Sequence, residues 1–373
     1  GLVSYTPSGQ FTGGTNRPRI NMLWLKRIVS AVAAFFLVIP VFSGIARTYV
    51  VYTDSQIEGN RAPYFQKQAA DAISVVWNTT EAEIGVVRYG ASPESLDAEI
   101  KEEIAGEAHE LRLSGLQAGQ RYYYSVGNVD SMKYGGSEEN WFMTAPETGV
   151  DTSIRLWVIG DSGSPGKIAW SVRDAMKSWV NDNPRQGKPF LDQWLTLGDN
   201  AYRSGSNQQY RFAFFDTYST LLNNIAPWPG YGNHDARRRA FFDIFSLPEQ
   251  AESGGVASSS EHYYSFDYAN IHTVMLDSQD SDRESDGEML NWLKRDLEAY
   301  KVSGQDWLIV AFHHPPYSKG SHDSDDEGDS GGRMKDMRST VLPVLEQYGA
   351  DLVMSGHSHG YERSYLMDCH YGD

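Results

Sequence analysis

The sequence predicts an α/β domain, its sheet buried by helices, behind a small all-β sandwich. Three observations predict it. Between residues 62 and 145, short strand-like runs alternate with turn signals. From residue 151 onward, apolar strand-like runs alternate with stretches of helical period. Five of those later runs end in loops carrying Asp, Asn or His, and active sites of α/β sheets gather beyond such strand ends.

The N-terminal 21 residues are polar, rich in Gly and Thr and without periodicity, so they receive no fold. Residues 22–46 then place Lys26 and Arg27 before the apolar run 28–40 and the small-residue ending Gly44-Ile45-Ala46. That is the pattern of a secretory signal peptide, and the apolar stretch is also long enough for a membrane anchor. Either reading exports everything after Arg47 and allows membrane contact only through this segment. Asn78-Thr79-Thr80 is a glycosylation sequon for a host that modifies exported proteins.

Strand-like runs follow at 72–77, 86–89, 110–113, 122–126 and 141–144. Tyr122 stands just after the turn 116–120, as the tyrosine corner of sandwich domains does. This stretch, 62–145, resembles a fibronectin type III module, and it holds no cluster of carboxylates or histidines. It reads as a spacer or docking domain, ended by the linker Thr144-Ala-Pro146-Glu-Thr-Gly149.

The α/β part occupies 151–373. A strand at 156–159 runs into Gly160-Asp161-Ser162-Gly163, then a helix with Ile168, Val172, Ala175, Met176 and Trp179 as its apolar face. A strand at 194–197 precedes Gly198-Asp199-Asn200-Ala201-Tyr202. The run 229–231 precedes Gly232-Asn233-His234-Asp235 and a helix expected over 237–245. Strands at 263–268 and 272–276 lead to a helix around Met289, Leu290, Leu293 and Leu297. The apolar strand 307–312 ends in His313-His314-Pro315-Pro316, and a helix near 334–345 leads to the strand 352–354 and Ser355-Gly356-His357-Ser358-His359.

With 32 basic against 49 acidic side chains, a formal charge of −17, the chain is unsuited to a broad nucleic-acid surface. An anionic substrate would need local positive charge, most simply from metal ions. Cys369, the only cysteine, excludes an internal disulfide and any Cys-based zinc or iron–sulfur site. The loops instead offer Asp161, Asp199, Tyr202, Asn233, His234, His313, His357 and His359. Such oxygen and imidazole donors suit Fe, Mn and Zn, and they are too many for one ion. Two ions sharing Asp199 is the natural arrangement, with the ~3.5–4 Å spacing of two-metal hydrolytic sites.

Gly-Asp-x-Gly, Gly-Asp-x-x-Tyr, Gly-Asn-His-Asp, Val310-Ala-Phe-His313 and Gly-His-x-His before Gly360-Tyr361-Glu362-Arg363 resemble, in order, the five signature blocks of the metallophosphoesterases. The tyrosine of the second block and the sandwich in front make the chain similar to the purple acid phosphatases over about residues 62–365. The resemblance implies an α/β (α+β) metallophosphoesterase sandwich, sheets flanked by helices, behind the fibronectin III-like module. It implies that metal 1 is held by Asp161, Tyr202 and His359, metal 2 by Asn233, His313 and His357, and that Asp199 bridges them. A Tyr202 phenolate implies Fe(III) at metal 1, with Zn, Mn or Fe(II) at metal 2.

By the same resemblance a metal-bound hydroxide attacks the phosphorus of a small phosphate monoester, while His234 and His322 bind phosphate oxygens or protonate the leaving group. A solvated acidic loop is the alternative for His322. His314 belongs behind the ligands, and His109, His262, His272 and His370 are structural. Two rival functions stand: a phosphodiesterase with the same metals, and a noncatalytic surface-binding protein whose metal domain is inactive. The family's fold continues with further strands after its last His block, so the resemblance implies that the chain ending at Asp373 is a fragment. Three other patterns fail on spacing or context: Gly160 to Lys167 is one residue too long for a phosphate loop, the acidic run from Asp323 lacks the closing glutamate of a calcium loop, and Arg237-Arg238-Arg239 reads as solvent-exposed helix.

Overall fold

The computed structural model of this chain describes residues 61–185 and 191–372, so the leader 1–21 and the segment 22–46 lie outside the described residues. Among the described residues no helix is long and apolar enough to cross a membrane.

The first part is all-β. Strands β1 (Arg61–Gln66), β2 (Ala72–Glu83), β3 (Gly85–Gly90), β4 (Ala98–Lys101), β5 (Gly106–Ser114), β6 (Arg121–Asn128), β7 (Met132–Gly135) and β8 (Trp141–Met143) make two antiparallel sheets. One is ordered β1-β2-β5, the other β4-β3-β6-β7 with β8 also on β6. Alternating inward residues close the core between them, with Phe65, Val75, Trp77, Val87, Leu113, Tyr124 and Phe142 buried together. The Tyr122 hydroxyl accepts from the Gln117 backbone N–H at 2.9 Å, the bond expected of a tyrosine corner. β1, β4 and β7 were not expected, and the last two are four-residue strands with partly exposed faces.

The second part holds two more sheets. β9 (Leu156–Ile159), β10 (Gln193–Thr196) and β11 (Pro227–Pro229) run parallel in the order β11-β10-β9. β12 (Tyr264–Tyr268), β13 (Ile271–Met275), β14 (Trp307–Phe312) and β15 (Leu352–Ser355) lie side by side, with only β12 antiparallel to its neighbour. The two sheets share one core, in which Trp228 stacks on Phe266 with ring centroids 3.7 Å apart. The other face of the second sheet buries Val274, Leu308, Val310 and Phe312 against helical residues Leu293, Leu297, Met337 and Val341. The architecture is therefore sheets flanked by helices behind an all-β sandwich.

Two helical expectations need correction. α1 (Lys167–Asp182) forms, yet Ile168, Val172 and Trp179 are 84%, 45% and 56% exposed, and the face turned inward is Arg173, Met176, Lys177 and Val180. The period was right and the phase was rotated by one position. Polar anchoring decides it: Arg173 donates to the Thr217 carbonyl at 2.6 Å and Lys177 to the Thr220 hydroxyl at 3.1 Å. The helix expected over 237–245 is instead a 3-10 turn, Asp235–Arg237, and a separate short α-helix, Ala240–Ile244.

Thr217 and Thr220 belong to a helical run that was not expected. It passes from α2 (Asn207–Tyr210) through a π-helical stretch, Arg211–Asp216, into α3 (Thr217–Leu222). Ser206 and Gln209 begin it with a reciprocal capping box.

Candidate metal centre

Each of the later strands ends in a loop, and five of these loops meet. Asp161 follows β9, Asp199 follows β10, Asn233 follows β11, His313 follows β14 and His357 follows β15. Asp161, Asp199 and His357 take left-handed backbone angles, φ 52°, 54° and 67°. Non-glycine residues seldom hold that conformation, at a cost of ~1–3 kcal/mol, and it concentrates at functional sites. Here it bends the chain just beyond each of three strand ends.

The glycines beside the ligands are demanded by space. A Cβ on Gly232 would lie 2.4 Å from Asp199 Oδ1, and one on Gly356 would lie 2.6 Å from Asp161 Oδ2. Close approach of backbone to carboxylate is what these positions provide.

One group of atoms is formed by Tyr202, Asp161 and His359. The Tyr202 hydroxyl lies 3.1 Å from Asp161 Oδ1 and 3.0 Å from His359 Nε2, and His359 Nε2 is 3.4 Å from Asp161 Oδ1. The second group centres on buried His313. Its Nδ1 meets the Leu197 carbonyl at 2.7 Å, so Nδ1 carries the proton and Nε2 presents a lone pair. That lone pair faces Asn233 Oδ1 at 3.1 Å, His357 Nδ1 at 3.2 Å and Asp199 Oδ1 at 3.6 Å.

With His313 neutral, acceptors therefore face acceptors in the second group. Carboxylate oxygens of Asp161 and Asp199 and a nitrogen of His313 also lie within 4.8 Å of one another. Two anions at that separation repel by roughly 3 kcal/mol at an effective dielectric near 20. A cation at each group removes both problems, so the donor set fits two metal ions.

The burial and charge of these groups point the same way. Burial, with the charge of Asp199, raises the Asp161 carboxyl above its usual range although His313 and a hydrogen bond from the His357 N–H oppose it. Burial, with His313 and His322 alongside, pushes His357 down to about 3, which keeps its imidazole neutral and able to ligate. Burial and the two carboxylates raise the Tyr202 phenol. Loss of its proton therefore calls for a strong Lewis acid.

The two further histidines flank these groups. His234 donates its backbone N–H to Asp199 Oδ1 at 2.8 Å, and its ring sits edge-on to Tyr202 at 4.6 Å. Its Nδ1 meets the Arg203 carbonyl at 2.7 Å, which turns Nε2 toward Asp199 Oδ2, 3.9 Å away. His322 stacks on His357 with centroids 3.9 Å apart, and its Nδ1 meets Asp329 Oδ1 at 2.8 Å. It is held against the His357 ring, and its side chain is one-third exposed (33%). His314 is buried behind His357 and bonded to Ser278 at 2.9 Å, while His109, His262 and His272 pair with carboxylates away from the ligands.

Sequence reasoning passed over the groups that brace the loops. Buried Asp235 accepts from the Gly232 N–H and from both the backbone and side-chain amides of Asn200, each at 3.0 Å, and from the Tyr210 hydroxyl. Burial, with Asp199 nearby, pushes its carboxyl up to about 7. Asp235 closes the Gly-Asn-His-Asp block, but its partner Tyr210 lies in the helical run that the sequence pattern does not reveal.

Comparison with known proteins places the fold in a family. Residues 154–361 match the calcineurin-like phosphoesterase family, and residues 63–144 match the purple acid phosphatase N-terminal domain. Purple acid phosphatase 21 of Arabidopsis thaliana is 29% identical over 315 residues, covering 79% of this chain and 64% of the relative. Purple acid phosphatase 18 of the same plant is 32% identical over 311 residues, covering 78% and 63%. Phosphoenolpyruvate phosphatase of Allium cepa is 29% identical over 304 residues, covering 75% and 57%. The chain thus spans about three-fifths of the length of these relatives. A purple acid phosphatase from yellow lupin (Lupinus luteus) seeds shares the fold, with a TM-score of 0.61 at 17% identity over 80% of this chain and 58% of that one.

Proposed function

Because the chain belongs to the calcineurin-like phosphoesterase family and carries the purple acid phosphatase N-terminal domain in front, we propose that it hydrolyses small phosphate monoesters at a binuclear metal centre. The observation that carries this reading is the meeting of acceptor atoms around neutral His313 Nε2, beside the Tyr202 hydroxyl that donates to Asp161 and lies 3.0 Å from His359 Nε2. Asp161, Tyr202 and His359 would hold metal 1, Asn233, His313 and His357 metal 2, and Asp199 would serve both. Fe(III) suits the phenolate donor of metal 1, and Zn, Mn or Fe(II) suits metal 2. Bound there, the two cations supply positive charge for a phosphoryl group and make a water nucleophilic near neutral pH.

The chain's own residues do the rest. His234 and His322 stand on the rim of the ligand groups and bind phosphate oxygens or hand a proton to the departing alkoxide. The Arg203 carbonyl and Asp329 fix which nitrogen of each ring faces the site. The Leu197 carbonyl does the same for His313, which keeps Nε2 for the metal. Residues 62–145 form the docking or spacer domain and 151–373 the catalytic domain. The segment 22–46 directs export, to the cell exterior, the periplasm or the outer face of a membrane.

Hydrolysis of a chromogenic phosphate monoester set against the matching diester tests the reading. Preference for the monoester, abolished in His313→Ala, supports it. Preference for the diester makes the protein a phosphodiesterase with the same centre. A folded protein inert toward both makes it a noncatalytic binding protein.

A further inference from the structure

The loop after β14 carries a run of acidic residues, and one of them is turned inward. Asp323 and Glu327 have side chains 50% and 77% exposed and pair with Lys319 and Lys335. Asp329 is 20% exposed and faces the histidines.

We propose that Asp329 and Ser330 are positioning residues that join His322 to the ligand His357 in one hydrogen-bonded chain, and so fix which His357 nitrogen meets the second metal. The inference rests on the metal-centre reading above. His322 Nδ1 lies 2.8 Å from Asp329 Oδ1, the Ser330 hydroxyl lies 2.8 Å from the same oxygen, and Ser330 Oγ lies 2.6 Å from His357 Nε2. The Asp323 N–H occupies the other carboxylate oxygen at 2.9 Å.

The protons have one consistent arrangement. An ionised carboxylate only accepts, so Ser330 and His322 both donate to Asp329. Ser330 has then spent its single proton, and its oxygen must accept from His357 Nε2–H. His357 Nδ1 is left bare, and it is the nitrogen that faces His313 Nε2 at 3.2 Å. A hydroxyl and a carboxylate outside the ligands thus set the ligating atom, as outer partners of metal-bound histidines do.

Backbone conformation supports the assignment. Ser330 is held at φ 53° and ψ 21° inside a 3-10 turn, followed by Gly331 and Gly332, both also left-handed. A serine there is strained where a glycine would not be, and such strain concentrates at functional sites. Arg333 pins the turn by donating to the Ser330 carbonyl at 2.8 Å and to the Gln279 carbonyl at 2.9 Å.

Ser330→Gly separates the hydroxyl from the fold, because glycine relieves the backbone strain while deleting the link. Metal retained by the full chain during chelator titration is measured for wild type, Ser330→Gly, Asp329→Ala and the double variant, alongside their melting temperatures. The expected result is an unlowered melting temperature for Ser330→Gly, with the second ion lost at roughly 10–100-fold lower chelator. Asp329→Ala loses it similarly, and the double variant is no worse than Ser330→Gly alone. Wild-type retention in Ser330→Gly, or losses that multiply in the double variant, overturns the chain. A wild-type protein that retains no ion overturns the metal-centre reading itself, and this inference with it.

Discussion

The Asp235 carboxylate grips Asn200 twice, accepting from its backbone and side-chain amides at 3.0 Å each, although 35 residues separate the two. Asn200 directly follows Asp199, and Asp235 is two residues past Asn233, so this contact ties together two of the loops that meet at the candidate centre. Asp235→Ala leaves the buried amides of Asn200 and Gly232 and the Tyr210 hydroxyl without their acceptor. Chemical denaturation is expected to show a loss of about 2–4 kcal/mol, with a smaller loss in Asp235→Asn, which keeps one acceptor oxygen.

Gly232→Ala is expected to abolish metal retention by the centre. The added Cβ would lie 2.3 Å from the Asp199 backbone nitrogen and 2.4 Å from its Oδ1, so either the loop or the shared carboxylate must move. Overpacking of this kind costs about 1–3 kcal/mol, which the fold survives. Gly360→Ala is the control, since nothing lies within 4 Å of a Cβ there. Metal content after gel filtration distinguishes the two.

Stability is expected to fall as pH rises from about 6.5 through 9, because of His272. Burial alone would lower its pKa, but hydrogen bonds to Asp267 and Asp296 at 2.7 and 2.9 Å outweigh burial and lift it to about 9. A base that holds its proton more tightly in the fold than in the unfolded chain stabilises fully below the unfolded value, ~6.5, and ceases to do so above the folded one. The contribution lost over that window is on the order of 3 kcal/mol by linkage. Denaturant midpoints across the window should flatten in His272→Gln.

Trp228→Ala is expected to cost about 3–5 kcal/mol, since the ring is 1% exposed and joins the two sheets through Phe266. Ile168→Ala, on the exposed side of α1, should stay within about 0.5 kcal/mol. Equal losses in the two variants would mean that α1 packs through the face its sequence period suggested.

What could be read before the structure divides along this line. Strand ends such as Phe312 before His313, or Leu197 before Gly198 and Asp199, announce themselves within a few residues, because an apolar run, a turn and a ligand are all local signals. The phase of α1 was not local: Arg173 and Lys177 find their partners in α3, some 43 residues on. The braces were hidden for the same reason. Asp235 needs Tyr210, and His357 needs Ser330, and no spacing in the chain relates either pair. The capping box at Ser206 and Gln209 was a local signal for the missed helical run, and the π-helical stretch behind it blurred the period.

The central claim is that the chain holds two cations, one of them on a phenolate. Metal analysis with a visible spectrum of the purified protein tests it most directly. The account predicts two equivalents of metal and a tyrosinate-to-iron charge-transfer band that disappears in Tyr202→Phe. A folded, colourless protein that binds no metal when supplied with iron and zinc would contradict it.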